Sequence, residues 1–167
     1  MKLSVVLFVL VSAVVWVGCN NSTDPAVSPG NPAVTLPWLT DLPMAEAQAK
    51  EEHKMVFLDF TGSDWCPACI AFQKQVASTP EFASYAKTNL VLVELDFPHG
   101  KTQPEALKKA NAGLVGKFKL ADATGEFDLP TFLLLDDNGK QLGKWEGYAP
   151  DSGPKAFIQQ LEDAQKK

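Results

Sequence analysis

Cys66 and Cys69 are the residues best placed to do chemistry, in the run Trp65-Cys66-Pro67-Ala68-Cys69. Before them, Met55-Val56-Phe57-Leu58-Asp59-Phe60 is a near-continuous apolar run, the pattern of a strand covered on both faces. After them, Pro67 suits a first helical turn, where its missing N–H would have had no partner anyway. Two thiols at this spacing can bridge across the turn, and the first lies where free backbone N–H groups and the helix dipole favour a thiolate. A Cys-x-x-Cys pair commonly lowers the first thiol's pKa to about 7 or below. Cys66 is then the attacking thiolate. Cys69, one turn in and more buried, is the resolving thiol that releases a mixed disulfide formed on Cys66.

Other uses of the pair are weaker. A zinc site needs two more ligands, and His53 and His99 supply no second ligand pair by spacing or context. A purely structural disulfide between residues three apart closes too small a loop to stabilise much. The rival from another class is a binding module or metallochaperone that holds a soft ion such as Cu(I) on the same dithiol. The chain has no Met-rich or His-rich segment to support it.

The elements that must position the thiols follow from local pattern. Ala45 to Lys54 is rich in Ala, Glu, Gln and Lys and reads as a helix, with Asp41 or Pro43 near its start. A helix runs from Pro67 to about Ala77, with Ile70 and Phe72 as its apolar positions. A second follows at Thr79-Pro80-Glu81, where Thr79 caps, Pro80 opens the turn and Glu81 complements the dipole. Leu90 to Leu95 is another apolar strand ending at Asp96, and helix recurs from about Pro104 to Ala112 or Phe118. Thr131 to Leu135 and Gln141 to Tyr148 are strands joined by Asp136-Asp137-Asn138-Gly139, a strong hairpin signal. A helix over about Lys155 to Ala164 closes the domain. The alternation implies a three-layer α/β sandwich around a central sheet, mixed because the last hairpin is antiparallel.

Phe57-Leu58-Asp59-Phe60, Asp64-Trp65-Cys66-Pro67-Ala68-Cys69 and Leu129-Pro130-Thr131 together resemble the thioredoxin-like superfamily, over about residues 43 to 165. The helix before the first strand and the stretch Thr79-Pro80-Glu81-Phe82 are more similar to thioredoxin-like modules of bacterial envelope thiol-disulfide interchange proteins than to cytosolic thioredoxin. The resemblance implies that Pro130 is cis and faces the Cys66–Cys69 pair, and that Leu129 offers its backbone to a substrate strand, a pairing that main-chain hydrogen bonds hold without reading sequence. Without it, Pro130 is a simple strand-start proline. Asp59 resembles the buried aspartate that moves a proton to or from the resolving cysteine, a role that burial favours by raising its pKa. The loop from Asp59 to Cys66 is one residue longer than in thioredoxin, so the alternative is a strand-end carboxylate exposed to solvent. The Pro67-Ala68 pair differs from thioredoxin's Gly-Pro and from the Pro-His of strong oxidants. With no histidine between the thiols to stabilise the reduced form, the direction points towards a reductant or isomerase.

Cys19 is the third of three cysteines. Met1-Lys2 followed by the apolar run Leu3 to Val17 has the form of a secretory signal, shorter than the roughly 20 residues of a spanning helix. Val17-Gly18-Cys19 resembles a bacterial lipobox, whose cysteine is acylated and becomes the mature N-terminus, although Trp16 stands where that pattern usually has leucine. The alternative is ordinary cleavage after Val11-Ser12-Ala13. Residues 19–37 are polar, carry Pro25, Pro29, Pro32 and Pro37 and lack amphipathic period, which reads as a tether. The organisation is therefore signal peptide 1–18, tether 19–37 and thioredoxin-like domain 38–167.

The net charge is −5, and all 15 basic residues are lysine. Without arginine or a basic balance, nucleic-acid and phosphate binding are poorly supported. Lys108, Lys109, Lys117 and Lys119 read as a solvated helix face, and Trp145 and Tyr148 as packing residues. No motif for a nicotinamide or flavin is visible, so no cofactor is expected. The partners expected are protein thiols and disulfides, a membrane-embedded thiol relay as electron donor, and a membrane reached through a lipid anchor. The protein then faces the periplasm or another extracytoplasmic space of the cell envelope.

Overall fold

The computed structural model describes residues 35–150 and 152–166. Five strands form one mixed sheet: β1 (Trp38–Leu39), β2 (Met55–Thr61), β3 (Leu90–Asp96), β4 (Thr131–Leu135) and β5 (Gln141–Glu146), in the order β1-β3-β2-β4-β5. β3 pairs in parallel with both β1 and β2, while β4 runs antiparallel to β2 and β5. Five helices cover it: α1 (Leu42–Glu52), α2 (Pro67–Phe72), α3 (Pro80–Asn89), α4 (Glu105–Lys117) and α5 (Gly153–Gln165).

The layers come from the two-residue period of the strands. Phe57, Leu92, Phe132 and Leu134 project to one face, where they pack with Phe72 of α2, Phe82 of α3 and Phe157 of α5. Val56, Leu58, Phe60, Val93, Leu133 and Leu135 project to the other, under Ala45 and Ala49 of α1 and Val115 of α4. Phe57 lies at the centre of the first core, stacked on Phe132 at 5.6 Å and edge-on to Phe157 at 5.8 Å. Among the described residues no helix is long and apolar enough to cross a membrane.

The helix starts follow the sequence signals. Asp41 accepts from the Met44 N–H at 2.8 Å, and Thr79 Oγ1 accepts from the Phe82 N–H at 3.3 Å, each with a proline in the first turn. Several details depart from local pattern. The short edge strand β1 has no counterpart among the expected elements, and Leu36, inside the segment read as tether, is half-buried against the first core. Helix α2 runs straight into a π-helical turn, Gln73–Ala77. Ile70, expected as a core position, is 47% exposed, because the opposite side of α2 faces the sheet. The hairpin loop spans Asp136 to Lys140, with Gly139 left-handed at φ 79°. β5 stops at Glu146, because Gly147 turns out of the strand at φ 75° and donates its N–H to Pro130 O at 2.7 Å. Lys108, Lys109, Lys117 and Lys119 are exposed; Tyr148 is buried, and Trp145 packs half-buried against the first core.

Candidate active site

The end of β2 and the start of α2 hold the two thiols. Gly62 follows the strand, and the Trp65 indole lies where a side chain on Gly62 would sit, 2.7 Å from an added Cβ. That close approach folds the chain back, so that Trp65 and Cys66 both donate N–H bonds to Gly62 O, at 3.2 and 2.9 Å. Cys66 is the N-cap of α2: its Sγ accepts from the Cys69 N–H at 3.2 Å. The two cysteines are joined as a disulfide with Cα atoms 5.3 Å apart. The Cys69 N–H thus points at Cys66 Sγ from the free end of α2, an arrangement that favours a thiolate over a thiol at that position. Cys69 lies slightly deeper, 2% exposed against 4% for Cys66, and its Sγ accepts from the Gly62 N–H at 3.4 Å.

The loop after β3 is laced to this turn. Asp64 accepts from the backbone N–H of His99 at 3.0 Å and of Gly100 at 2.7 Å, and these bonds, His99's first, hold its carboxyl below the usual range. Trp65 Nε1 donates to Phe97 O at 2.8 Å, while the His99 ring stacks on the indole at 4.1 Å, with the two ring planes nearly parallel. Ser63 donates to both oxygens of Asp96, from its N–H at 2.9 Å and its hydroxyl at 2.6 Å. Trp65 is left 41% exposed beside the cysteines.

The third wall comes from β4. Leu129–Pro130 is a cis peptide bond, and Leu129 O lies 3.6 Å from Cys66 Sγ. The segment is fixed by Thr131 Oγ1 donating to Asp128 O at 2.6 Å and by Gly147 on Pro130 O. A groove of about 840 Å3 runs beside it, walled by Trp65, His99, Phe127 and Leu129.

Asp59 lies on β2 and is 4% exposed, not at a solvated strand end. Its Oδ1 is buried without a hydrogen-bond partner. Burial raises its pKa well above the ordinary value, and the nearby Glu94 and Asp96 carboxyls push it further in the same direction. Asp59 and Cys69 line one cavity of about 510 Å3.

The structure therefore gathers Cys66, Cys69, Pro130 and Asp59 at one end of the sheet. Cys19 lies outside the described residues. Among the described residues no group of three or more His, Cys, Asp or Glu is arranged to hold a metal ion. Two participants in the site were not singled out from the chain. The stacking of His99 depends on a loop-to-loop contact with no local signal. Glu94 did carry a signal, as the one charged residue inside the apolar run Leu90 to Leu95.

The thioredoxin-like domain family matches residues 42–165. The chain is 36% identical over 134 residues to the disulfide bond reductase DsbH of Chlamydia pneumoniae, which covers 80% of this chain and 75% of that protein. It is 26% identical over 119 residues to the thioredoxin-related protein DsbJ of the same organism, covering 71% of this chain but 32% of the relative. A solved structure of a DsbH oxidoreductase superposes with a TM-score of 0.69 at 32% identity, over 86% of this chain and 95% of that one.

Proposed function

The chain belongs to the thioredoxin-like domain family and is a thiol-disulfide oxidoreductase, and from that premise we propose that it reduces protein disulfides in the bacterial cell envelope. The observation that carries this reading is the Cys66–Cys69 pair at the start of α2, with Cys66 Sγ 3.6 Å from Leu129 O beside an open groove. A substrate strand lying along Leu129 brings its disulfide to Cys66. The Cys66 thiolate attacks one substrate sulfur and the other leaves as a thiolate. Cys69 then attacks Cys66 Sγ, closes the internal disulfide and frees the substrate. Asp59 takes the proton that Cys69 must lose, and Pro130 shapes the wall against which the mixed disulfide forms. Two electrons pass to the substrate, and a partner dithiol must return them; a membrane-embedded thiol relay is the proposed donor.

The reducing direction is supported by the Pro67-Ala68 pair and by the name of the relative DsbH, a disulfide bond reductase. The envelope location is supported by the signal-like residues 1–18, by Val17-Gly18-Cys19 and by the relationship to Dsb proteins. In this reading Cys19 is acylated and the residues between it and Leu36, where the chain joins the core, tether the domain to a membrane.

The test is reduction of a disulfide-bonded test protein by the purified chain with dithiothreitol as electron source, alongside measurement of the Cys66–Cys69 potential. The wild type is expected to turn over, Cys66→Ser to be inactive, and the potential to be more reducing than about −200 mV. Equal inactivity of wild type and Cys66→Ser, with stoichiometric copper bound by the dithiol, would overturn the redox reading. A potential near −120 mV, that of a strong oxidant, would reverse the direction.

A further inference from the structure

The cavity that holds Asp59 and Cys69 shares no lining residue with the groove at Leu129. It reaches solvent between the end of β3 and the π-helical turn, where Gln73 and Lys74 are exposed. Glu94 also lines it. Asp59 and Glu94 are in register on the parallel pair β2 and β3, strands that lie about 4.8 Å apart, so both carboxyls rise from the same face into one space. Asp59 is the inner of the two and fully enclosed, whereas Glu94 is half-buried.

Other charges around the pair come from three elements. Asp96, two residues along β3, is held by Ser63; Lys74 faces the cavity from the π-helical turn; Lys101 approaches from the loop after β3. Burial raises the Glu94 pKa and Asp96 adds to this, while Lys101 opposes it. Two carboxyls in one poorly solvated space do not both ionise freely, so a proton added to one is felt by the other. The cavity is also roomy enough to admit water between them.

We propose that Glu94 is the outlet of the Asp59 proton site, passing to solvent the proton that Asp59 receives from Cys69 and returning one in the reverse half-reaction. The inference rests on the role given to Asp59 above. In the resolving step the Cys69 S–H bond breaks and its proton goes to the Asp59 carboxylate. The sulfur's electron pair forms the Cys66–Cys69 bond, the bond from Cys66 to the substrate sulfur breaks, and the substrate leaves as a thiolate. Asp59 then passes its proton to Glu94, and Glu94 passes one to water. Both carboxyls end as they began, and the electrons stay with the substrate.

The test uses the reduced chain carrying Cys19→Ser, so that only the pair reports, mixed with excess 5,5′-dithiobis(2-nitrobenzoic acid). The first chromophore released measures attack by Cys66 and the second measures resolution by Cys69. Glu94→Gln is expected to leave the first phase within twofold, to slow the second about tenfold, and to move its pH midpoint down, because a like charge beside Asp59 is gone. Glu94→Asp is expected to restore most of the rate and the pH dependence. Asp59→Asn is expected to slow the second phase, with no further effect when Glu94→Gln is added. If Asp59→Asn slows the second phase while Glu94→Gln overlays wild type across the pH range, the Glu94 inference is overturned alone. If Asp59→Asn itself leaves the second phase unchanged, the Asp59 reading is wrong and Glu94 falls with it.

Discussion

Asp59 is the residue at which stability and activity pull apart. A carboxyl buried with an unpartnered oxygen costs the fold about 1–3 kcal/mol, and nothing in the packing of β2 requires an acid there. The pH sign follows from its raised pKa. Above the ordinary aspartate value the unfolded chain releases this proton while the folded chain keeps it. Stability therefore falls as pH rises, until the folded carboxyl also ionises and the loss levels off. Asp59→Asn removes that titration. It is expected to be more stable than the parent at pH 8, with the difference shrinking towards zero near pH 4. Urea melts of both proteins at pH 4, 6 and 8 measure it, and a difference that stays constant across that range would show that the Asp59 charge is not the source.

At the scale of elements, β1 behaves differently from the rest of the sheet. Two residues long, it pairs Trp38 with Leu92 and Leu39 with Val93, covering the outer edge of β3. Trp38 packs edge-on to Phe57 at 6.2 Å, Leu36 joins the same core and Leu39 the other. Three half-buried apolar side chains represent about 2–4 kcal/mol, and their loss bares an apolar strand edge. A chain beginning at Thr35 keeps this edge strand and its contacts. One beginning at Leu42 should lose about that stability and aggregate more readily, while its folded fraction keeps its disulfide-exchange rate; equal midpoints for the two truncations would remove β1 from the fold's support. Local pattern did not reveal β1, because two residues after Pro37 become a strand only through their partners on β3. By contrast β2, β3 and the capped start of α3 were legible, since apolar runs and Thr79-Pro80-Glu81 carry their own signals. The site divides in the same way. Cys66, Cys69 and Pro130 stand in short motifs, whereas the Trp65–His99 stack and the Asp59–Glu94 pairing exist only once β2 and β3 lie side by side.

At the scale of the whole molecule, the three thiols fall into two kinds. Cys66 and Cys69 close on each other inside the domain, and no other cysteine occurs between Thr35 and Lys166. The exchange pair is thus complete without Cys19, which the proposed anchoring role leaves free for acylation. The acylation proposed there would give the protein a surface to work from; a single chain binds a membrane only marginally, so a stable anchor needs more than one. The consequence is a clean division of phenotypes. Cys19→Ser is expected to move the protein from the membrane fraction to the soluble fraction while leaving disulfide reduction in vitro unchanged, and Cys66→Ser is expected to do the reverse. The mass of the mature N-terminus from membranes decides the matter: a chain beginning at an acylated Cys19 supports the anchor, and an unacylated chain beginning at Val14 overturns it.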